Sequence, residues 1–438
     1  MQRASGVLLP IFSLPGRFSR GTLGAAAYEF VDRVAAAGFS VWQTLPITPP
    51  DGYGSPYAGR TSFAADESLV DMDALVAEGL LGREEVAKIE DHGALLSLAA
   101  ERADRGTLDE YLTNNPQTAA VCRHGVRDDG ELYRRAFAQY TFDRQWSALC
   151  DHAHERGVSL VGDLPIYVAP DSIDAALFPE AFLSTGDVAG VPPDDFCPDG
   201  QVWGNPLYDW GRMAEDGYAF FWARLAYLLA RFDGVRLDHF RGFSAYYRIP
   251  SGAPATAGRW ETGPGSGLFS SLAGLLGGRL VIAEDLGCID GAVDDLRREF
   301  GFLSTRVLQF GFLGDPGSPH LPHVIGEDTA FYTGTHDNDT LCGFLGAMPE
   351  AERAHLLSYC GAKDADDGMN AAVRALLASR ARLAILPVQD ILGIGSEGRI
   401  NTPGRAEGNW SWRLTEEELV GIDWERFRGY NEEFGRSS

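Results

Sequence analysis

Lysine is nearly absent from this sequence, and basic residues in general are scarce. Only Lys88 and Lys363 are lysines among 37 basic residues, and the 62 acidic residues bring the formal net charge to −25. A surface this acidic repels the phosphates of nucleic acids and the headgroups of anionic lipids. We therefore expect neither nucleic acid nor a membrane as a partner, which leaves neutral molecules as the candidates.

Paired cysteines and long hydrophobic runs are also missing. The six cysteines are scattered without a Cys-x-x-Cys pair, which is typical of reduced cytosolic proteins. Two prolines interrupt the apolar run near the N-terminus, and no later stretch is long enough to span a bilayer. These features predict a cytoplasmic protein.

The usual signatures of cofactor sites do not occur either. The sequence has no glycine-rich phosphate loop and no dinucleotide fingerprint. His152 and His154 are two residues apart, which places their rings about 200° apart on a helix and is wrong for sharing a metal ion. We therefore expect no cofactor and no metal.

What the sequence does contain is a recurring pattern of short apolar runs, each followed by a stretch with helical spacing. Such short, continuously apolar runs are typical of parallel strands that are buried on both faces. Eight of them alternating with helices predict a closed (β/α)8 TIM barrel. Two smaller α/β domains are the alternative, but no Pro/Ser/Gly-rich linker divides the chain. The eight runs are residues 7–14, 41–46, 159–168, 234–239, 280–286, 306–312, 329–337 and 382–392.

The spacing of these runs predicts how the domain is organised. Residues 25–37 and 131–156 have helical spacing, and each stretch is closed by a glycine. Residues 47–158 and 169–233 are far longer than one helix requires. We therefore expect a single catalytic barrel over the whole chain, 1–438, without a separate C-terminal β-domain. The two long segments are predicted to be insertions after the second and third strands, on the face where barrel active sites lie.

Acidic side chains end three of the apolar runs. Asp238 ends the fourth run, Glu284 and Asp285 end the fifth, and His336 and Asp337 end the seventh. In a closed barrel, the C-terminal ends of the strands converge on one face. These side chains are therefore expected to surround a common cavity.

Retaining cleavage of a glycosidic bond requires such a set of groups. One carboxylate attacks the anomeric carbon, and a carboxylic acid about 5–5.5 Å away protonates the leaving oxygen. Arg236 lies two residues before Asp238, so both side chains leave the strand on the same side, and the guanidinium favours the ionised form of a nucleophile. Glu284 follows three apolar residues, and apolar surroundings with nearby negative charge raise a carboxyl pKa, as an acid requires.

Each of these motifs also has an ordinary structural explanation. A single Asp after an apolar run is more often a helix N-cap, Arg-x-Asp is more often an ion pair, and His-Asp-Asn is typical of turns. Because three of them occur in order at three separate strand ends, the catalytic interpretation is favoured.

The segments RLDHFRG, IAEDLG and GTHDND resemble the catalytic segments of glycoside hydrolase family 77, the amylomaltases or disproportionating enzymes. Other segments resemble the family in the same order, so that the resemblance extends over nearly the whole chain. These are LLPIFSLPG, LGAAAYEFVDRVAAAGFSVWQTLPITP, the donor-site loop GYGSPY, GDLPIYVAPDS, VAGVPPDDF, GQVWGNPLYDW and RINTPGRAEGNWSWR.

The resemblance implies a 4-α-glucanotransferase that acts on maltooligosaccharides or longer α-1,4-glucans by a retaining double displacement. It implies that Asp238 is the nucleophile, Glu284 the general acid/base, and Asp337 the carboxylate that binds the 2- and 3-hydroxyls of the sugar. It also implies sugar contacts or flanking roles for Tyr57, Gln201, Trp203, Arg236, Asp285, His336 and Asn401.

One further segment is a candidate for contact with the sugar. Residues 251–266 are rich in Pro and Gly and are interpreted as a mobile loop centred on Trp260, which by resemblance covers the active site. The indole is predicted to offer a stacking face to an acceptor sugar, and anchoring of the loop to the barrel is the alternative. Residues 58–68 and 169–178 depart from the family pattern, but neither segment contains a catalytic acid.

Two other functions are compatible with parts of this pattern. A retaining α-1,4-glucan hydrolase uses the same three carboxylates and then transfers the sugar to water. A barrel that only binds oligosaccharides is expected to have lost one of the acids, and all three are present.

Overall fold

Short runs of buried residues form the barrel strands of this structure, a computed structural model. It describes residues 3–193, 198–364, 366–405 and 407–437. The strands, in chain order, are β1 (Ala4–Leu8), β2 (Val41–Gln43), β3 (Ser159–Leu164), β4 (Val188–Val191), β5 (Gln201–Pro206), β6 (Gly234–Leu237), β7 (Ala245–Ile249), β8 (Arg259–Thr262), β9 (Leu280–Ala283), β10 (Leu303–Val307), β11 (Thr329–Tyr332) and β12 (Leu383–Pro387).

Eight of these strands close into a parallel barrel in the order β1-β12-β11-β10-β9-β6-β3-β2. Each of the eight apolar runs predicted from the sequence contributes one barrel strand. Nearly every residue of these strands is buried, because side chains on one face fill the barrel and those on the other pack against helices. The predicted (β/α)8 fold is confirmed.

The predicted runs extend beyond their strands, most clearly the eighth, 382–392, which includes β12 and the helix Val388–Leu392, and two runs are also shifted along the chain. The first run, 7–14, and the sixth, 306–312, both begin too late and end too late, since the strands are β1 and β10. The apolar residues that follow these two strands form the 3₁₀ turns Ile11–Ser13 and Leu308–Phe312. An apolar run therefore marks burial here, and it does not by itself distinguish extended backbone from a buried turn.

Helices lie between successive barrel strands, except that the described connection from β10 to β11 contains the 3₁₀ turn Leu308–Phe312 and no α-helix. The predicted helices 25–37 and 131–156 correspond to α1 and α7. In chain order the helices are α1 (Ala25–Ala36), α2 (Met72–Ala77), α3 (Arg83–Lys88), α4 (His92–Glu101), α5 (Arg105–Asn114), α6 (Pro116–Arg123), α7 (Asp129–Glu155), α8 (Ile173–Leu177), α9 (Trp210–Glu215), α10 (Ala219–Leu229), α11 (Arg241–Ser244), α12 (Gly265–Leu276), α13 (Gly291–Glu299), α14 (Leu341–Ala347), α15 (Glu350–Cys360), α16 (Gly368–Ala378), α17 (Val388–Leu392), α18 (Glu416–Gly421) and α19 (Trp424–Glu433). Within the described ranges, none of these helices is both long enough and apolar enough to cross a membrane.

The long segment between β2 and β3 is helical. It contains α2 to α7, and α7 packs against α4, α5, α6 and the barrel helix α1. The segment between β3 and β6 contains α8 to α10 and the two strands β4 and β5. Residues 194–197, which include Cys197 and the end of the VAGVPPDDF motif, lie outside the described residues. The other five cysteines form no disulfide.

A second, antiparallel sheet was not predicted from the sequence. Its strand order is β5-β4-β7-β8, so it joins two strands from the loop after β3 to two strands that follow β6. The interpretation of residues 251–266 as a loop is therefore wrong in part. Residues Arg259–Thr262 form β8, and Gly265 begins α12. Glycines and prolines are confined to the two ends of this short strand, where the turns lie.

A buried arginine ties these loops to the barrel. Arg224 of α10 is 2 % exposed, and its guanidinium donates to the carbonyl oxygens of Pro165 and Ile166, which directly follow β3. It also donates to the hydroxyl oxygens of Tyr208 and Ser62. Four acceptors from three segments thus converge on one buried charge, which compensates for its loss of water.

We expect Arg224→Met to lower the free energy of unfolding by about 3 kcal/mol, because the carbonyl of Pro165 loses its side-chain donor and that of Ile166 keeps only the hydroxyl of Tyr208. Urea or thermal unfolding measures the change. Arg212→Met is the matched control, since Arg212 lies on α9 with its side chain 62 % exposed, and we expect a change within about 0.5 kcal/mol. Equal stability of the two variants would contradict the role of Arg224.

Candidate active site

A cavity of about 640 Å³ opens at the face where the barrel strands end. The three predicted acids line it, each on the segment that follows a barrel strand: Asp238 after β6, Glu284 after β9 and Asp337 after β11. Six of the eight other predicted site residues also line it, namely Tyr57, Gln201, Trp203, Arg236, His336 and Asn401.

Asp238 is held by the arginine two residues before it. The Nη1 atom of Arg236 lies 2.9 Å from one carboxylate oxygen of Asp238, and it also lies 2.8 and 3.0 Å from the two oxygens of Asp163. Arg236 and Asp163 are almost fully buried, whereas the Asp238 side chain remains 24 % exposed toward the cavity. A guanidinium stays charged in proteins, so it places a positive charge against the carboxylate of Asp238, which also faces the cavity.

Asp163 was not identified from the sequence, although it is an acid inside an apolar strand. It accepts hydrogen bonds from Arg236 and, at 2.8 Å, from the hydroxyl of Tyr57. An acidic residue in the middle of a buried strand requires partners, and this requirement was the signal available in the sequence. Asp163 therefore joins the loop that carries Tyr57 to the arginine beside Asp238.

Glu284 has a different environment from Asp238. Burial is the main cause that raises its pKa, to about 8; Arg236 opposes the shift and the neighbouring Asp238 adds to it. One of its carboxylate oxygens, Oε2, accepts a hydrogen bond of 2.8 Å from the backbone N–H of His239. At neutral pH the carboxyl group of Glu284 therefore holds its proton. It lies beside the carboxylate of Asp238, which faces the guanidinium of Arg236.

Asp337 is the most exposed of the three acids, with 42 % of its side chain accessible. The side-chain amide of Asn401 donates to one of its oxygens, and the ring of His336 lies 3.4 Å from the same oxygen. The guanidinium of Arg399 donates to the backbone carbonyl of Asp337 and to that of Asn401, which fixes the two segments relative to each other. The other oxygen of Asp337 is left for a ligand.

Aromatic side chains form one wall of the cavity. The ring of Tyr57 stacks on that of His336 with 4.8 Å between the ring centres and 12° between the planes. Trp410 packs against both rings and lines the cavity, but it was not singled out in the sequence. The loop before Tyr57 is shaped by Asp51, whose carboxylate accepts from two backbone N–H groups, and by Gly54 at φ +84°.

Trp203 of β5 lies at the rim of the cavity, 36 % exposed. Its indole N–H donates to the side-chain oxygen of Gln201 at 3.0 Å, and its ring packs at a right angle against that of His239. The remaining face of the indole is open, as required for stacking on a sugar ring.

Two predicted site residues do not line the cavity. Asp285 is 2 % exposed, and Ser304, Thr305 and Arg306 surround its carboxylate, which anchors β10 to the end of β9. Trp260 lies on β8, where the guanidinium of Arg241 sits 4.0 Å from its ring centre. Each placement has a physical cause. Asp285 lies beyond the end of β9, where side-chain direction no longer follows the alternation of the strand. Trp260 lies elsewhere because it belongs to the second sheet.

The arrangement matches the needs of retaining glycoside chemistry. It holds a carboxylate beside a guanidinium, a half-buried carboxyl group with a raised pKa, and a third acid with a free oxygen in one cavity with aromatic walls. Among the described residues, no group of three or more His, Cys, Asp or Glu side chains is arranged to hold a metal ion.

Comparison with known proteins identifies the family. A family model described as 4-alpha-glucanotransferase matches residues 9–111 and 94–418. The 4-alpha-glucanotransferase of Aquifex aeolicus is 35% identical over 466 aligned residues, which cover 95% of this chain and 96% of that protein. The chloroplastic/amyloplastic 4-alpha-glucanotransferase of Solanum tuberosum is also 35% identical, covering 94% of this chain and 82% of that protein. The aligned length exceeds the 438 residues of this chain, so the chain lacks segments that these relatives contain.

A solved structure shows the same fold throughout. The amylomaltase of Streptococcus agalactiae, solved in complex with acarbose, superposes with a TM-score of 0.94 at 29% sequence identity, and the match covers 100% of both chains. Since the family model and the relatives both extend over most of the sequence, the chain belongs to glycoside hydrolase family 77, the family of the 4-α-glucanotransferases.

Proposed function

We propose that this 4-α-glucanotransferase transfers a segment of an α-1,4-glucan to the 4-hydroxyl of another glucan or of glucose through an ester on Asp238. The observation that carries the proposal is the contrast between two carboxyl groups in one cavity. Asp238 is paired with Arg236, whereas burial raises the pKa of Glu284 to about 8. Such a contrast separates the nucleophile from the acid in a double displacement.

In the first half of the reaction, a carboxylate oxygen of Asp238 attacks the anomeric carbon while Glu284 protonates the leaving 4-oxygen. In the second half, Glu284 removes the proton from an incoming 4-hydroxyl, which displaces Asp238 and restores the α-linkage. Arg236 faces Asp238 throughout, so the carboxylate needs no proton when it is released.

Asp337, Asn401 and His336 are proposed to bind the hydroxyls of the sugar that is being transferred. Asn401 already donates to one oxygen of Asp337, which leaves the other to accept from a sugar hydroxyl. Such hydrogen bonds tighten as charge develops on the ring in the transition state. The stacked pair of Tyr57 and His336 forms a flat wall for the same ring.

Gln201 and Trp203 are proposed to contact the glucan at the rim of the cavity, where the indole has an open face. Asp285 and Trp260, which lie away from the cavity wall, are proposed to act on its shape and not on the sugar itself. The acarbose complex of the Streptococcus agalactiae amylomaltase supports an oligosaccharide as the ligand of this cavity.

We further propose a single catalytic barrel over residues 1–438, with 47–158 and 169–233 as insertions. Supporting this division, the first insertion supplies Tyr57 and the second supplies Gln201 and Trp203 to the cavity. The scattered cysteines, five of which are unpaired in the structure, support a place in the cytoplasm. The acidic surface supports neutral glucans as partners over nucleic acids and membranes.

Incubation with maltotriose alone tests the reaction. We expect glucose and longer maltooligosaccharides to appear while the number of reducing ends stays constant, because each transfer breaks one bond and makes another. Asp238→Asn should reduce this activity at least about 100-fold. Asp233→Asn, at the opposite end of the same strand, is the control and should retain it. A steady rise in reducing ends with the wild type as the main outcome would favour the hydrolase.

Glu284→Gln separates the acid from the nucleophile. We expect this variant to be nearly inactive on maltotriose, where the leaving sugar needs a proton, but to react with α-maltosyl fluoride, whose leaving group needs none. The ratio of the two rates, compared with the wild type, is the measurement. An unchanged ratio would exclude Glu284 as the acid.

The pH dependence follows from the same carboxyl group. Since Glu284 must be protonated to start the reaction and burial raises its pKa to about 8, activity is retained below that pH and lost as the pH rises through it. We expect kcat/KM for maltotriose to fall about tenfold per pH unit above this pKa, which forms the basic limb of the pH profile. The prediction is wrong if kcat/KM is independent of pH up to pH 9.5.

A further inference from the structure

The residue after Asp238 has an unusual backbone conformation. His239 lies at φ +45°, in the left-handed region that favours glycine. Among the described residues, the other non-glycine residues with positive φ are Tyr218 and Trp410. Two of these three therefore line the cavity, and strained residues that collect at a site have a function more often than strained residues elsewhere.

The conformation turns two consecutive backbone N–H groups toward the segment that carries the general acid/base. The N–H of His239 donates to Oε2 of Glu284 at 2.8 Å. The N–H of Phe240 donates to the backbone carbonyl of Glu284 at 2.9 Å. The main chain directly after the nucleophile thus binds both the side chain and the backbone of Glu284.

We propose that His239 is a positioning residue whose left-handed backbone holds Glu284 in a fixed place relative to Asp238. The inference rests on the function proposed above, because it assigns Glu284 as the acid/base. The link is short, because the N–H that binds Glu284 belongs to the peptide bond between Asp238 and His239.

This hydrogen bond also determines which oxygen of Glu284 carries the proton. In a neutral carboxyl group the carbonyl oxygen is a better acceptor than the hydroxyl oxygen, so the N–H donor favours Oε2 as the acceptor in both protonation states. The proton of the neutral acid therefore sits on Oε1. It is Oε1 that gives the proton to the leaving oxygen and later takes one from the acceptor hydroxyl.

The histidine ring stabilises this turn without carrying charge. Burial lowers the pKa of His239 to about 4, so the ring is neutral at the pH of the reaction. It packs at a right angle on the indole of Trp203, with 4.8 Å between the ring centres, and its Nε2 atom is buried without a hydrogen-bond partner. The packing on Trp203 offsets part of the cost of a side chain where glycine is favoured, whereas the unpartnered Nε2 adds to that cost.

Four variants of His239 separate the backbone from the ring. Gly and Asn remove the imidazole but accept positive φ, whereas Ala accepts it less readily and Val opposes it. For each variant we would measure kcat/KM for maltotriose and for α-maltosyl fluoride. We expect His239→Val to lose at least about tenfold more activity with maltotriose than with the fluoride, because only maltotriose needs the proton of Glu284. Gly and Asn should keep the wild-type ratio, whatever their absolute rates.

The pH profile gives an independent readout. The charged groups that face Glu284 are Arg236 on β6, Asp238 directly after β6, and Asp285 next to Glu284 in the chain, and none of them is altered by these variants. The N–H of His239 stabilises the ionised carboxylate, so its loss raises the pKa of Glu284 further. We expect the basic limb to move to higher pH in the Val variant and to stay in place in the Gly variant.

Tyr218→Val is the matched control, since Tyr218 has the same type of backbone, φ 62°, at the start of α10 and away from the cavity. It should lower the melting temperature without changing the ratio of rates. If His239→Val does not fold, the comparison is between Asn and Ala, and we expect the larger change of ratio for Ala. The proposal would be overturned if His239→Val lost equal kcat/KM on maltotriose and on α-maltosyl fluoride while the basic limb of its pH profile stayed in place. It would also be overturned if the Gly and Val variants had the same ratio of the two rates. Failure of the proposed function itself would appear separately, in an unchanged substrate ratio for Glu284→Gln.

Discussion

A single buried guanidinium organises the catalytic end of this barrel. Arg236 is 5 % exposed, and a charge in the interior needs hydrogen-bond acceptors or opposite charges that compensate for its loss of water. The register of the barrel meets this need by pairing Arg236 on β6 with Asp163 on β3. Asp238 supplies the second carboxylate from the same strand. The two carboxylates share this one guanidinium, so the positions of the nucleophile, of Tyr57 and of two barrel strands are all tied to one side chain.

The barrel itself was predictable because burial on both faces leaves a strong sequence signal. Eight apolar runs marked eight strands, and glycines marked the ends of α1 and α7. The second sheet left no such signal. Its strands are short and partly exposed: β5 and β8 contain Trp203 and Trp260 among polar residues and glycines, without the alternation of a half-buried strand. Pairing between strands that are distant in the chain is determined by tertiary structure, and local composition does not record it.

The site was predictable where side chains meet the cavity directly, and less so where they act through other groups. Nine of the eleven predicted residues line the cavity, because strand ends converge on it. Asp285 does not, since its carboxylate is turned into the hydrogen bonds with Ser304, Thr305 and Arg306 of β10. Asp163 left only the weak signal of an acid in an apolar strand. His239 contributes through its backbone N–H. Every residue except proline has this group, so the type of residue at this position does not reveal the contribution.

The second sheet has a consequence for the evolution and engineering of the rim. Because β4 pairs with β7, the loop after the third barrel strand and the loop after the fourth share one set of backbone hydrogen bonds. Loops of barrel enzymes are often treated as separable modules that are exchanged one at a time. Here a transplanted loop would arrive with an unpaired strand edge and would expose its recipient to aggregation. The two loops are therefore expected to be inherited as one unit, and a graft intended to change acceptor preference must carry both.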